Sequence, residues 1–374
     1  MLKGDKVMKK MFPFMLAIAF LGCASLSAAE EVFPKPLCLE GVCVYINAKG
    51  EPEFGGKIFY SAHRFSPNGL AAVRVKQFDG KYGFINAKGE AATPFTLDGK
   101  YGMYDFAPNG LAKIKLDERY GYIDKDSFTS GKLAMKTTFD EAGDFAANGL
   151  ALVKKVDKYG YINAQGELII PATFSHASPF AANGLAVVVT NDSKYGYINS
   201  KGEMVIPAKF DHAADFSSNG LAAVEVKTYE SKYGYINSKG EMVIPAKFDK
   251  AEMFTSNGLA RVGMCRDDCD PRDGYLYGYI DRQGQAVIPP SLKKAFDFTS
   301  DGLAFVETSD SKEGYINAKG KTVIAGKFND VSLKEDVNGI HEVKQNGKWI
   351  LIDATGKEYR SKAYDILKKE LTQK

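Results

Sequence analysis

Lys194-Tyr-Gly-Tyr-Ile-Asn-Ser-Lys-Gly-Glu-Met-Val-Ile-Pro-Ala-Lys-Phe-Asp-His-Ala-Ala-Asp-Phe-Ser-Ser-Asn-Gly-Leu-Ala222 returns almost letter for letter from Lys232. Outward from this pair, the aromatic before the Ile-Asn or Ile-Asp step marks further copies. They are Tyr45, Phe84, Tyr122, Tyr161, Tyr197, Tyr235, Tyr279 and Tyr315, with Leu351 as a degenerate ninth, at spacings of 36 to 44 residues. A recurrence of that period is the mark of a repeat architecture, in which units too small to bury their own apolar faces stack on one another.

Each copy has a local physical reading. Tyr-Gly-Tyr-Ile is aromatic and β-branched, hence a strand. Asn199-Ser-Lys-Gly202 follows, with Asn first and Gly fourth, the pattern of a type I turn whose Gly takes positive φ. Related turns stand at Asn47, Asn86, Asn163, Asn237, Asp281, Asn317 and Asp353, and only Asp124-Lys-Asp-Ser127 lacks the Gly. Glu-Met-Val-Ile-Pro is the return strand, and Pro171, Pro207, Pro245 and Pro289 suit a strand end or edge because proline has no N–H to donate. An irregular Phe-Asp-x-Ala-x-x-Phe stretch leads to a second tight turn, Asn-Gly, at Asn68, Asn109, Asn148, Asn183, Asn219 and Asn257, with Asp301-Gly302 as a variant. A Leu-Ala-x-Val strand closes the unit. The second Tyr of Tyr-Gly-Tyr, the Ile after it and the Phe of Phe-Asp are the expected core between units, and the intervening Gly is expected to allow close backbone approach.

The predicted fold is therefore all-β: a tandem array of eight to nine three-stranded antiparallel units. Nine units exceed the usual blade count of a propeller, so an open curved or superhelical stack is expected, with a closed propeller-like ring as the alternative. Residues 30–358 form the array. Residues 359–374 follow it, where Ala363, Ile366, Leu367 and Leu371 at helical spacing predict a short helix capping the final unit.

The run Lys-Tyr-Gly-Tyr-Ile-Asn-x-Lys-Gly-Glu-x-Val-Ile-Pro resembles the bacterial WG repeat, whose Trp-Gly is followed by an aromatic and Ile-Asp. Tyr stands for the Trp at Tyr82, Tyr120, Tyr159, Tyr195, Tyr233 and Tyr277; Trp349 keeps it, but Ile350 follows instead of Gly. The resemblance spans roughly residues 41–357 and implies a β-rich repeat, often exported, with no activity common to the family.

Charge and cysteines bear on location. Residues 1–29 hold Lys3, Lys6, Lys9 and Lys10 against Asp5, which accounts for the whole formal +3 of the 374-residue chain and leaves the remainder neutral. Such a remainder has no bulk attraction for nucleic acid. The lysines precede a short apolar run, Met11 to Gly22, that reads as an export signal. Cleavage after Ala29 and lipidation at Cys23, within Phe20-Leu21-Gly22-Cys23, are the two processing routes that fit, the first leading to the periplasm and the second to an anchored lipoprotein. Beyond Ala29 the cysteines form two local pairs, Cys38 with Cys43 and Cys265 with Cys269. Close pairs in an oxidising compartment read as disulfides, against one four-cysteine metal site whose spacings these are not.

No constellation of nucleophile, base and orienting group is present, nor a phosphate-binding glycine loop. The expectation is a non-enzyme without cofactor or metal. His176 and His212 share one repeat position, but that position carries Ser61, Glu141 and Lys250 elsewhere, which reads as a solvated, variable site. Asp140, Asp211 and Asp249 recur after the Phe of their units and read as turn chemistry. The unit enlarged by residues 263–276 offers a disulfide-clipped insertion, with Arg266, Asp267, Asp268, Asp270, Arg272 and Asp273 as a candidate recognition loop. The function expected is a protein-interaction or structural scaffold of the cell envelope, its partner an envelope protein. The alternative is binding of peptidoglycan or another envelope glycan, for which rows of tyrosine would serve.

Overall fold

The structure, a computed structural model, describes residues 33–75, 81–95, 103–116, 119–124, 126–127, 134–135, 139–227, 230–265, 274–325, 328, 330–331 and 339–372. The strands fall into nine antiparallel sheets in chain order: a hairpin (residues 35–46), two three-stranded sheets (61–86 and 103–123), five four-stranded sheets (141–174, 176–210, 212–248, 250–292 and 294–325) and a three-stranded ninth (330–352). Among the described residues no strand is hydrogen-bonded from one sheet to another, and each sheet keeps two open edges.

The sixth sheet shows the pattern. Its strands are His212–Ala213, Ala222–Lys227, Ser231–Ile236 and Met242–Phe248. The Leu-Ala-x-Val strand pairs with the Tyr-Gly-Tyr-Ile strand that follows it, Ala223 opposite Tyr235 and Val224 opposite Gly234. The quoted repeat, residues 194–222, thus straddles two sheets, and the break falls within Phe-Asp-x-Ala. That stretch, irregular in the sequence, supplies the short first strand of each sheet. Both tight turns form as expected. Gly202 N–H donates to Asn199 O at 2.9 Å, with Gly202 at φ 81°. Asn199 Oδ1 accepts from the Lys201 and Glu203 amides, and its Nδ2 donates to Glu203 at 2.7 Å. The second turn runs from Ser217 to Gly220 by the same scheme.

The two middle strands of a sheet bury both faces, so alternate residues serve different neighbours. In the sixth sheet Ala222, Val224 and Ile236 pack against the fifth, while Leu221, Ala223 and Tyr235 pack against the seventh. The middle strands are consequently near-continuous apolar runs instead of half-polar alternations. The predicted core residues are buried: Tyr197 and Ile198 are fully enclosed, and Phe210 is 4% exposed.

The intervening glycine has a steric cause. A Cβ on Gly196 would lie 2.8 Å from Ala208 N and from Ile206 O, and the same backbone approach recurs at Gly160, Gly234 and Gly278. The fourth strand crosses directly over that position, next to register shifts between Tyr195 and Tyr197.

Nine apolar clusters join the nine sheets. Eight connect consecutive sheets. In the remaining one, Ile340 and Leu351 of the ninth sheet meet Leu37, Leu39, Val42, Val44 and Ile46 of the first. Glu40 N–H also donates to Glu342 Oε1 at 3.0 Å across that joint. The sheets themselves stay open, but the succession of interfaces returns to its start, which is the contact expected of the ring arrangement. The C-terminal helix, Lys362–Leu371, is capped by Ser361, whose hydroxyl accepts from Tyr364 N–H. It lies on the hairpin as well as on the final unit: Ala363, Tyr364 and Leu367 are buried in the same cluster as Leu37 and Val44.

Replacing Gly196 by Ala forces backbone against backbone and is expected to cost about 3 kcal/mol or more. Tyr197→Phe, which leaves a buried carbonyl without its donor, is expected to cost about 1–2 kcal/mol. Urea unfolding of residues 30–374 checks both, and equal effects would contradict the steric reading of Gly196.

Candidate binding surfaces

Most of the repeated polar groups are engaged within the fold. In six units the second tyrosine sends its hydroxyl out of its own sheet to a carbonyl of the next. Tyr161 donates to Ser178 O and Tyr197 to Ala214 O at 2.7 Å, and Tyr235 donates to Glu252 O at 2.8 Å. Tyr45, Tyr122 and Tyr279 do the same toward His63, Gly143 and Phe296. Burial raises these phenols well above their ordinary range, with a nearby carboxylate adding to the effect in most of them. Of the first tyrosines Tyr159 is buried, while Tyr82, Tyr120, Tyr195, Tyr233 and Tyr277 are half-buried. Tyr159 donates to Glu141 at 2.8 Å and packs 5.2 Å from the His176 ring, while Tyr195 lies 5.1 Å from His212. Tyr233 is pushed up to about 12, by burial first and then by Glu225. No open row of tyrosine faces results from these placements.

The repeated aspartates hold joints together. Asp211 accepts from Lys194 at 2.8 Å and Asp249 from Lys232 at 2.7 Å. Asp140 and Asp249 also accept from the backbone amides of Val156 and Cys265. His176 and His212 each sit on a tyrosine ring, and among the described residues no group of three or more potential ligands could hold a metal ion.

Cys38 and Cys43 are bonded. They face each other across the hairpin, beside the two-residue loop Glu40–Gly41, with Cα atoms 4.1 Å apart. Cys43 N–H turns away to Phe59 O at 2.8 Å, so this is the closer, non-hydrogen-bonded pair position, where a cross-strand bridge fits. Cys269 and the loop residues Arg266, Asp267, Asp268, Asp270, Arg272 and Asp273 lie outside the described residues, as do Cys23 and the whole of residues 1–29.

Two surfaces remain. The first is a cavity of about 860 Å³ where the first, second, seventh, eighth and ninth sheets converge. Arg261 enters it, donating to Ala295 O and pairing with Glu252 at 3.5 Å. Its buried Nε lies 3.4 Å from Asp297, an ion pair without the alignment of a hydrogen bond. His341, also in the wall, is 2.8 Å from Asp301 Oδ2. Burial pushes the Asp301 carboxyl up, but hydrogen bonds from His341 and Thr299 outweigh it and leave it below the usual range. The charges in this wall are thus largely compensated.

The second surface is the outer edge of the four-stranded sheets. Ten large apolar residues are exposed among the described residues, and eight of them occupy one repeat position, the start of the fourth strand. They are Leu168 and Ile169, Met204 and Val205, Met242 and Val243, Val287 and Val323, each between 39% and 45% exposed. Within the same strands Ile170, Ile206 and Ile244 are buried. The sequence reading passed over these pairs because a short apolar run reads as a buried strand. The clue lay in the proline that follows them, since proline marks an edge.

Among the described residues Asp215 is the one carboxylate whose range is raised, by burial, and its Oδ1 is buried without a hydrogen-bond partner. Its folded pKa lies above its unfolded one, so the ionised form is disfavoured by the fold and destabilises above that pKa. Asp215→Asn is expected to stabilise by about 1 kcal/mol at neutral pH. The gain should vanish below pH 3.8, where the carboxyl is protonated in both states. The buried phenols carry the opposite limit. Their stabilisation is complete below their ordinary value of 10.0 and is lost as pH rises beyond it. Alkaline titration followed at 295 nm should therefore show a late phenolate step coinciding with loss of the far-ultraviolet β signal; a single step near 10 with the fold intact would contradict it.

The "WG containing repeat" signature matches this chain seven times, at residues 82–120, 120–159, 159–193, 195–227, 233–264, 277–311 and 314–349. A comparison with curated protein sequences finds no match. Among solved structures the chain is similar to a crystal structure of the eukaryotic initiation factor, with 11% identity, a TM-score of 0.51, and coverage of 80% of this chain and 86% of that one. BamB from Moraxella catarrhalis matches with 12% identity and a TM-score of 0.41, covering 71% of this chain and 85% of its own. The first likeness concerns the fold alone. The seven sequence matches, continuous over most of the array, identify the chain as a member of the WG containing repeat family.

Proposed function

We propose that this chain is a non-catalytic protein-interaction scaffold of the bacterial cell envelope. The observation that carries the reading is the placement of its exposed apolar side chains at one position of five consecutive sheets, 168–169, 204–205, 242–243, 287 and 323. Isolated surface hydrophobics need no explanation, but a set confined to one repeat position is a surface, and apolar surface rimmed by polar residues fits contact with protein. The tyrosines that would serve a glycan are instead buried or packed on neighbouring rings. Location in the envelope draws on the Cys38–Cys43 bond, which suits an oxidising compartment, and on the signal-like residues 1–29. Among the described residues no helix is long and apolar enough to cross a membrane.

A photo-crosslinking residue placed at Val205 or Val243 is expected to give discrete protein adducts in intact cells, while one at the exposed turn residue Asp192 gives none. Adducts to glycan alone, or none at either rim position, would overturn the reading.

A further inference from the structure

Resting on that reading, the structure assigns a partner chemistry to part of the rim: we propose that the outer strands of the fifth and sixth sheets bind a polypeptide segment carrying apolar and acidic side chains together. The apolar component is Met204 with Val205 and Met242 with Val243, each 41–45% exposed. A lysine flanks each pair on both sides, Lys201 and Lys209 in one sheet and Lys239 and Lys247 in the next, all exposed. None of the four has a carboxylate partner among the described residues; Lys209 and Lys247 rest over the rings of Phe210 and Phe248 at 5.3 and 5.2 Å.

The neighbouring acids are already occupied. Glu203 and Glu241 accept from Asn199 and Asn237 within their turns, and Asp211 and Asp249 pair with Lys194 and Lys232. Glu203 and Glu241 keep their charge when they accept from neutral amides, so each sheet sets two lysines against one carboxylate outside an ion pair, a local positive excess on residues 30–374, which are neutral as a whole. Among the described residues the full set of an apolar pair with a lysine on each side occurs in these two sheets; the eighth keeps Lys319 and the exposed Val323 but has Thr322 in place of the first apolar residue. The fourth sheet has Leu168 and Ile169, but Gln165 and Thr173 replace the lysines; the seventh has Gln283 and Ser291 and only Val287 of the pair.

Two features select the manner of binding. Pro207 and Pro245 interrupt the backbone donors of the outer strands, so a partner strand cannot simply extend the sheet, and recognition runs through side chains. The apolar pairs directly follow the polar turns Asn199–Glu203 and Asn237–Glu241 in the chain and are less than half exposed. Charged Glu203 and Glu241 stand next to the pairs in the chain, so inserting the pairs into a bilayer would also desolvate those carboxylates, a cost that a peptide contact at the surface avoids. Acidic flanks on that segment would meet the four lysines and add a salt-dependent attraction.

The probe is a fluorescein-labelled amphipathic peptide with leucines along one face and glutamates on both flanks, titrated into residues 30–374 and read by anisotropy. Binding about tenfold tighter than that of the same peptide with lysines for glutamates, and weakening with added salt, is expected. The combined variant Lys201→Glu, Lys209→Glu, Lys239→Glu and Lys247→Glu should lose about tenfold for the acidic peptide with its circular dichroism unchanged. Equal binding of the two peptides, or undiminished binding by the variant, would overturn the proposal. So would co-sedimentation with phosphatidylglycerol vesicles that neither peptide competes away, which would make the rim a membrane contact. Crosslinks at Val205 that persist in the lysine variant would leave the scaffold reading standing while this partner chemistry falls; loss of crosslinks in the unsubstituted chain would remove both.

Discussion

A phenol hydroxyl that leaves its own sheet to donate to a carbonyl of the next is the contact on which the rest of this architecture rests. Among the described residues the stacked sheets share no backbone hydrogen bonds, so their relative position would otherwise depend on apolar packing, which is non-directional. Tyr197 supplies both terms at once: its ring fills the space between the fifth and sixth sheets, 4.8 Å from Phe216, and its hydroxyl fixes the register to Ala214 O. A buried carbonyl without a donor is costly, so each such bond also answers a need created by the close approach of the sheets. Gly196 completes the device, since only a residue without a side chain lets the fourth strand cross there.

The joint between the ninth and first sheets lacks this device. Leu351 stands where the tyrosine should be and has no hydroxyl to donate. The C-terminal helix takes over, burying Ala363, Tyr364 and Leu367 against the hairpin, with Tyr60 donating to Glu370 and Tyr364 to Glu358. The Cys38–Cys43 bond lies in the hairpin that receives the helix.

Much of this could be read from the amino acids alone. The Asn-x-x-Gly turns, the Tyr-Ile core positions and the close approach at the glycine follow from local chemistry, and local chemistry is what a sequence expresses directly. The division into sheets did not follow. A repeat can be cut at any point of its period, and the strand that decides the cut, Ala213 with its neighbour, is two residues long, too short for a pattern. The helix was legible from Ala363, Ile366 and Leu367, but its hairpin contact was not, because amphipathicity reports that a face is covered and not by what. The rim pairs were hidden for a similar reason. Ile206 is buried by the turn of the next sheet at Gly240 while Val205 beside it is open, and only the third dimension separates the two.

An open solenoid can gain or lose a repeat by unequal recombination, because its last unit has no fixed neighbour. Here Glu40 and Glu342 meet across almost the whole chain, and Ile340 and Leu351 pack on Leu37 and Val44. Adding a unit would displace that meeting unless every other joint turned by a smaller angle. The repeat number of this chain is therefore tied to a single seam: its copies differ in their outer strands, as the fourth, fifth and seventh sheets do, while their count must let the ninth sheet meet the first.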